Sequence, residues 1–366
     1  MAVVVGVAAA GALSSRSDSG ARSGGSGVRP RPSTPTSAPT PPPTTQEPHG
    51  TVTIAAVGDT MLGMTPTLPA SPGTYLGEMR SALRGDVVFG NLEGTLTDAT
   101  ASKCGGAPSS SCFAFHAPPE FARALRQSGF TVVSNANNHS YDFGQAGEDD
   151  TVHALHRAGI AQTGLPGEIT LVRAKDFRIA FLGFAPYPNT ASLTDLRTAR
   201  RLIHRAGEKA DLVVCAMHAG AEGTSALHVT GAEETYLGED RGNPAAFAHM
   251  AVDAGADLVL GSGPHVLRAM ELYHGRLIAY SLGNFAGYHN FTVEGVLGES
   301  VVLHVTLAAD GGFRTGRLVS VRLVGAGQPV PDPSGAAAAL VAQLSRSDLG
   351  ARGIRVGPGG ALQRRA

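Results

Sequence analysis

The sequence of 366 residues predicts an α/β protein built on a mixed sheet or on two packed sheets. Apolar strand-like segments alternate with helical segments from residue 50 to about residue 265. Beyond that point the pattern changes to pairs of strand-like runs around short turns that contain glycine. Strand–helix alternation is typical of parallel strands, and hairpins add antiparallel strands, so the two patterns together indicate mixed sheets.

The folded domain is expected over residues 50–328. Apolar runs predict strands at residues 52–57, 86–89, 130–133, 177–184, 211–217 and 257–260. Helical spacing, with Pro at some starts and Gly at some ends, predicts helices at residues 75–83, 118–127, 149–157, 194–209 and 244–255. Two hairpins follow, at residues 266–282 and 301–323. Residues 329–366 are interpreted as a C-terminal tail with one helix, at residues 336–344.

The residues before this domain form two further segments. Residues 1–14 contain an apolar run of about a dozen residues, which suits a signal peptide or a membrane anchor and is short for a spanning helix of ~20 residues. The basic segment that usually precedes such a run is missing. Residues 15–49 are rich in Ser, Thr, Pro and Gly and predict a disordered linker. We therefore expect an extracytoplasmic protein, either secreted or tethered to the membrane or cell wall.

Charge and motifs exclude several functions. The 29 basic and 30 acidic residues give a formal net charge of −1, so nothing indicates a nucleic-acid partner. Neither a Gly-x-x-x-x-Gly-Lys-Ser/Thr loop nor a Gly-x-Ser-x-Gly elbow occurs. Gly261 and Gly263 follow a predicted strand, but Val266 occupies the place of the third glycine, so a dinucleotide fingerprint also fails.

Three cysteines are consistent with export. Cys104 and Cys112 bracket a small polar loop, and a disulfide between them would stabilise the fold by roughly 2–3 kcal/mol in an oxidising compartment. Two free thiols or half of a metal site are the alternatives, and no Cys-x-x-Cys supports the latter. Cys215 lies in an apolar run and is expected to be a buried thiol.

Polar side chains follow five of the predicted strands. These are Asp59, Asn91 with Glu93, Asn138 with His139, His218 with Glu222, and His265. Each alone has an ordinary structural explanation as a turn, a helix cap or a surface residue. If the strands lie side by side, however, the groups converge at one edge, where ligands bind in α/β sheets. The donor set suits one or two divalent ions of the Mn, Fe or Zn type, and His139 would be placed to protonate a leaving oxygen.

Six ordered motifs between residues 51 and 290 resemble the CapA family of poly-γ-glutamate capsule-synthesis proteins, a branch of the calcineurin-like metallophosphoesterases. They are Gly58-Asp59-Thr60-Met61-Leu62-Gly63, Asn91-Leu92-Glu93, Ala136-Asn137-Asn138-His139-Ser140-Tyr141-Asp142-Phe143-Gly144, His218-Ala219-Gly220-Ala221-Glu222, Gly263-Pro264-His265-Val266 and Tyr280-Ser281-Leu282-Gly283-Asn284-Phe285. The resemblance implies a four-layer αββα sandwich of two mixed sheets flanked by helices. It also implies Asp59 and His265 as ligands of a first metal, Glu93 as a bridging carboxylate, Asn138 and His218 as ligands of a second metal, and His139 as the acid.

Two positions depart from the pattern of the wider superfamily or of this branch. Met61 stands where phosphoesterases generally carry His, as is usual in the CapA branch, and Gly263 stands where the branch tends to carry a further His. The second metal thereby loses an imidazole. The candidates to replace it are Glu222, Asn284, His116 and His289, and Asn91 is a further candidate of the site.

Two functions are therefore expected. The first is a metal-dependent hydrolase of the phosphoesterase type that acts outside the cytoplasm on a phosphoester or another envelope or capsule component. The second is a non-catalytic accessory protein that binds an anionic polymer such as poly-γ-glutamate for export or anchoring.

Overall fold

The computed structural model describes residues 50–105 and 112–365. The signal-peptide, anchor and linker interpretations concern residues 1–49 and lie outside the described part. Among the described residues, no helix has the length and apolar character needed to cross a membrane.

The described residues form 21 strands and six helices, together with short 3-10 turns. The first strands are β1 (Thr51–Met61), β2 (Val87–Leu92), β3 (Thr95–Leu96), β4 (His116–Ala117), β5 (Val132–Ser134), β6 (Ala161–Thr163), β7 (Thr170–Ala174), β8 (Phe177–Ala185), β9 (Ala191–Ser192) and β10 (Leu212–His218). The later strands are β11 (Thr235–Tyr236), β12 (Glu239–Asp240), β13 (Leu258–Ser262), β14 (Met270–Tyr273), β15 (Arg276–Ala279), β16 (Asn284–Gly287), β17 (Glu299–Ala308), β18 (Phe313–Val324), β19 (Gln328–Pro331), β20 (Arg355–Val356) and β21 (Ala361–Gln363). The helices are α1 (Pro72–Tyr75), α2 (Phe121–Ser128), α3 (Gly144–Ala158), α4 (Leu196–Gly207), α5 (Pro244–Asp253) and α6 (Ala336–Leu349).

Two mixed sheets organise these strands. The larger sheet runs β20-β21-β18-β17-β1-β2-β5-β6, with β16 beside β1 and β19 beside β18. In it β1, β2, β5 and β6 are parallel, whereas β17 and β18 are antiparallel. The smaller sheet runs β14-β15-β13-β10-β8-β7, with β9 beside β8, and its central strands are parallel. Most of the parallel strands come from the strand–helix part of the sequence and the antiparallel pairs largely from its hairpins. Two later strands, β15 and β16, also pair in parallel, with β13 and β1 respectively.

Apolar side chains fill three layers between four layers of structure. Between the sheets, Phe89 of β2 stacks on Phe181 of β8 with 6.0 Å between ring centroids. On the outer face of the larger sheet α2 and α3 bury Leu125 and Leu155. On the outer face of the smaller sheet the core includes Ile203 of α4 and residues of α5. The four-layer αββα sandwich expected from the sequence is therefore confirmed.

The last part of the chain belongs to this sandwich. Strands β20 and β21 extend the larger sheet, and α6 packs Ala337 and Val341 into the core between the sheets. Leu344, one turn further along α6, lies in the core of the smaller sheet. The segment interpreted as a tail thus contributes buried apolar surface, because its helix is apolar on the side that faces the sheets.

Two element boundaries differ from the sequence-based predictions for identifiable reasons. The helix expected at residues 75–83 is reduced to α1 and a 3-10 turn at Gly77–Met79, since Gly77 interrupts it. Strand β1 continues through Asp59 to Met61, although Gly58 and Asp59 were interpreted as its end. A Cβ at Gly58 would lie 1.9 Å from the Gly283 carbonyl oxygen, so this glycine permits close backbone approach instead of forming a turn.

Candidate metal centre

The carboxyl ends of four strands, two from each sheet, bring the candidate residues to one edge of the sandwich. Asp59 lies on β1 at an irregularity in its pairing with β16, and Glu93 follows β2 directly. His218 is the last residue of β10, and His265 follows β13. The expected convergence of strand ends is therefore present for these four side chains.

Three of these residues form a group with the spacing of metal ligands. Asp59, Glu93 and His265 each offer a ligand atom within 4.8 Å of the others. His265 Nδ1 lies 3.1 Å from Asp59 Oδ2, and His265 Nε2 lies 3.6 Å from Glu93 Oε1. His218 is adjacent, with its Nε2 atom 4.0 Å from Glu93 Oε1. Two carboxylates and two imidazoles thus face one another.

Several buried atoms at this position have no partner among the described residues. Both carboxylate oxygens of Glu93, His218 Nε2 and Asn138 Oδ1 make no hydrogen bond. Glu93 is 0% exposed, and leaving a buried carboxylate without hydrogen bonds is costly. These are oxygen and imidazole donors of the kind that divalent Mn, Fe or Zn accepts, so the residues present fit such an ion.

The electrostatics of the group follow from burial and from mutual charge. Burial raises the pKa of Glu93 well above its ordinary value, against the opposing charge of His265. Burial would also raise the pKa of Asp59, but the hydrogen bond and the charge of His265 hold it below its ordinary value. Burial would lower the pKa of His265, yet the charges of Glu93 and Asp59 raise it to about 10. Burial lowers the pKa of His218 to about 3, so this imidazole is neutral and able to act as a ligand.

Amide side chains hold the group in place. Asn91 Nδ2 donates to Asp59 Oδ1 at 2.8 Å, and Asn91 Oδ1 accepts from Asn137 Nδ2 at 3.2 Å. Asn284 Oδ1 lies 2.9 Å from His265 Nδ1. Asn91 and Asn284, both candidates of the site, therefore form hydrogen bonds with Asp59 and His265 and orient a carboxylate and a ring.

His139 is oriented by residues that the sequence analysis did not assign to the site. Its Nδ1 atom lies 2.8 Å from Asp142 Oδ2, and Lys103 Nζ lies 2.6 Å from Asp142 Oδ1. The ring of Phe115 packs edge-on, with 4.5 Å between centroids. Burial lowers the pKa of His139, although the hydrogen bond to Asp142 acts in the opposite direction. Asp142 belongs to the sequence motif of residues 136–144 quoted above. For Lys103 the only signal in the sequence is that it precedes Cys104.

Gly263 lies at a crowded backbone position, where the family pattern has an imidazole. Its φ is +107°, and a Cβ there would lie 3.2 Å from the ring of His218. Its backbone N–H instead donates to Asp59 Oδ2 at 3.3 Å. A side chain at this position would be strained at this φ and would require a small shift of His218, so the local backbone favours glycine.

The four candidates to replace that imidazole separate into two pairs. Glu222 Oε2 lies 3.7 Å from His265 Nε2, and Asn284 contacts the other nitrogen of the same ring. His116 stacks on the ring of Phe143, and the backbone of His289 bonds to Ala326. Within residues 50–105 and 112–365, neither His116 nor His289 makes a hydrogen bond or an ion pair with the metal-ligand group.

The cysteines are placed as the sequence indicated. Cys104 and Cys112 form a disulfide, which confirms that prediction. Cys215 lies on β10 and is a buried free thiol. Because Lys103 precedes Cys104, the disulfide lies beside a side chain that contacts Asp142 and the Asn138 carbonyl.

A cavity of about 500 Å³ lies next to the metal-ligand group. Asn138, His139 and Glu222 line it, together with side chains that the sequence did not identify, namely Lys103, Tyr187, Tyr236 and Arg241. Lys103, Tyr236 and Arg241 belong to long connections without helical or strand periodicity. No sequence pattern could therefore predict that they lie at this cavity.

The comparisons with known proteins agree with the motifs. Residues 53–288 match the family described as "Bacterial capsule synthesis protein PGA_cap". The chain is 32% identical over 190 residues to the capsule biosynthesis protein CapA of Bacillus anthracis, covering 46% of this chain and 43% of that protein. It is 31% identical over 183 residues to the PGA biosynthesis protein CapA of Bacillus subtilis (strain 168), covering 45% of each. The chain thus matches less than half the length of these relatives.

One solved structure is similar over a larger share of the chain. It is a putative 5′-nucleotidase from Staphylococcus aureus in complex with alpha-ketoglutarate. The TM-score is 0.44 at 12% identity, covering 81% of this chain and 58% of that one.

Proposed function

Because the chain belongs to the bacterial capsule synthesis family PGA_cap, we propose that it is a metal-dependent hydrolase of the phosphoesterase type. It acts outside the cytoplasm on an envelope or capsule component, and the segment before residue 50 holds it at the membrane or cell wall. The observation that carries this proposal is Glu93, a fully buried carboxylate with two unpartnered oxygens beside Asp59 and His265. Such a group is stable when a cation occupies the space between its neighbours.

The residues divide into those that hold the ion and those that act on the substrate. Asp59, Glu93 and His265 hold one divalent ion, and Asn138 and His218 contribute to a second. Such an ion supplies Lewis-acid stabilisation of the charge that develops on a phosphoryl group.

His139 supplies the proton for the leaving oxygen. Its Nδ1 atom is engaged by Asp142, which leaves Nε2 for the substrate. Because burial lowers the pKa of His139 below its ordinary value of 6.5, this imidazole loses its proton at a lower pH than a free histidine does. The rate of the step that uses this proton should therefore fall as the pH rises through the lowered pKa, below pH 6.5.

The test is metal content and phosphodiesterase activity of the full chain and of Asp59→Asn. We expect the wild-type protein to retain Mn, Fe or Zn by elemental analysis and to hydrolyse bis-p-nitrophenyl phosphate. Asp59→Asn should lose the metal and on the order of 10²–10³-fold in rate, since without the ion the charge that develops in the transition state is no longer stabilised. Asp176→Asn, at an exposed turn, is the matched control and should behave as wild type. Wild-type protein without metal after incubation with Mn²⁺ and Zn²⁺ would exclude the hydrolase.

Gly263 favours a second function, that of an accessory protein that binds an anionic polymer. The closely packed Gly263 removes one imidazole from the family pattern, which weakens a two-metal site. In this case Asp59→Asn would bind poly-γ-glutamate as tightly as the wild-type protein, and neither would hydrolyse phosphodiesters.

A further inference from the structure

The connection between β10 and α5 forms one wall of the cavity beside the metal-ligand group. Within it, β11 and β12 form a hairpin whose turn residues Leu237 and Gly238 have φ values of +50° and +82°. Both positive values are typical of a tight two-residue hairpin turn. Leu237 is 79% exposed and lines the cavity together with Tyr236. A rigid turn therefore holds an apolar side chain at the rim.

Arg241 follows this hairpin and is the principal charged residue of the wall. Only 2% of its side chain is exposed, and its guanidinium carbon lies 5.5 Å from the ring centroid of Tyr236 and 5.8 Å from that of Tyr187. Two aromatic rings thus fix the guanidinium by cation–π contact. Such a preorganised, planar donor is suited to bidentate recognition of an oxyanion.

The hydrogen bonds of Arg241 are incomplete. Its Nη2 atom pairs with Glu222, and its Nε atom lies 3.4 Å from Glu239 Oε2. Nη1 and Nε make no hydrogen bond within the described part of the chain. A buried guanidinium normally satisfies its donors, so unused donors indicate a ligand that supplies the missing oxygens. Glu239 is 55% exposed and can be displaced by such a ligand.

The cavity suits a ligand larger than a single anion. Its volume of about 500 Å³ is within the range of sites for drug-sized molecules. Lys103 supplies a second cation, and Phe113 and Tyr141 are large side chains that are 55% and 41% exposed at the same cavity. Cations combined with apolar walls match a chain that carries carboxylates on apolar stems.

We propose that Arg241 binds a carboxylate of an extended, carboxylate-bearing substrate and so determines the specificity of the cleft. Glu222 connects this subsite to the metal-ligand group, because one of its oxygens accepts from Arg241 and the other lies 3.7 Å from His265 Nε2. The bound carboxylate therefore lies one side chain away from Asp59, Glu93 and His265. The inference that a bond of this substrate is cleaved at the neighbouring metal-ligand group rests on the proposed function. Binding of the carboxylate by Arg241 does not require catalysis.

The experiment measures binding of γ-linked triglutamate to the full chain by calorimetry in EDTA, where no turnover occurs. Arg241→Gln should weaken binding at least tenfold, and an analogue with every carboxylate amidated should bind the wild-type protein equally weakly. Glu239→Gln removes a competing carboxylate and should tighten binding several-fold. Arg200→Gln on α4 and Glu233→Gln in the same connection are exposed matched controls and should leave the affinity unchanged.

Equal affinity of wild-type protein and Arg241→Gln would overturn the proposal, as would the absence of triglutamate binding. Inorganic phosphate that binds through Arg241 while triglutamate does not would also overturn it. If Arg241→Gln unfolds at a lower temperature than the wild-type protein, its weaker binding could reflect a damaged fold. The affinity of Glu239→Gln then decides whether the subsite exists, because a gain in affinity cannot arise from misfolding. Arg241-dependent binding in a protein without hydrolase activity would support the subsite and remove only the catalytic assignment.

Discussion

His265 illustrates how much of the site depends on single backbone positions. Its φ is +59°, a left-handed conformation that is uncommon for any residue other than Gly. In this conformation its two ring nitrogens lie near Asp59 on one side and near Glu93 and Glu222 on the other. Backbone strain of this kind costs of order 1–3 kcal/mol and persists where the surroundings impose it.

The raised pKa of His265 predicts that metal binding releases a proton. In the metal-free protein His265 keeps its proton up to about pH 10, because Glu93 and Asp59 stabilise the charged form. A cation must displace that proton, so the apparent Kd for Mn²⁺ should fall about tenfold for each pH unit between pH 6.5 and 8.5. Calorimetry in buffers of different ionisation enthalpy should count close to one proton released per ion at pH 7.5.

Two matched variants test whether the released proton comes from His265. His265→Gln should abolish the release, whereas His204→Gln, at an exposed histidine of α4, should retain it. A Kd that is constant across this pH range would contradict the prediction.

At the scale of elements, the connection from β10 to α5 depends on one buried ion pair. Arg268, which is 0% exposed, donates to both carboxylate oxygens of Glu234 at 2.9 and 2.7 Å. It also donates to the carbonyls of Ala221 and Ala226. Since this connection carries Glu222 and Arg241, Arg268 fixes the wall of the cavity without contacting the metal-ligand group itself.

Removal of one member of this pair should destabilise the fold. Arg268→Met leaves Glu234 buried without its partner, and we expect a loss of about 3–5 kcal/mol in the free energy of unfolding. Urea denaturation measures this loss, and Arg200→Met on α4 is the exposed control. The double variant Arg268→Met with Glu234→Leu should recover most of the stability, because no unpaired charge remains. A single variant as stable as wild type would show that the pair does not anchor the connection.

At the scale of the whole molecule, the proposed metal ligands come from both sheets. Asp59 and Glu93 belong to the larger sheet, whereas His218 and His265 belong to the smaller one. An ion held by Asp59, Glu93 and His265 would bind only the folded sandwich and would link its two halves. Ligands that bind only the native state stabilise it in proportion to their saturation.

Metal ions should therefore raise the thermal stability of the wild-type protein. At a free Mn²⁺ concentration 100 times the Kd, the expected gain is about 2.7 kcal/mol. Differential scanning calorimetry across a range of concentrations should show a steadily rising midpoint. The same rise is expected for Asp176→Asn and not for Asp59→Asn, and an equal rise in both variants would place the bound ion elsewhere.

The sequence predicts the sandwich and the convergence of the strand ends because both arise from local patterns. Asp59 and Glu93 lie at the ends of apolar runs that become neighbouring parallel strands, and His265 follows a strand of the facing sheet, so their proximity is a consequence of the topology. Arg241 could not be predicted in the same way. It lies 23 residues beyond the end of β10, in a connection whose course depends on buried contacts such as Arg268 with Glu234.

The direction of β1 has a practical consequence for immobilising the protein on a solid support. This strand starts at Thr51 and reaches the metal-ligand group eight residues later, at Asp59. At the usual rise of a strand, the two residues lie about 26 Å apart. An affinity handle joined ahead of Thr51 would thus enter at the end of the sandwich remote from the cavity, and large ligands could approach immobilised molecules without obstruction by the matrix.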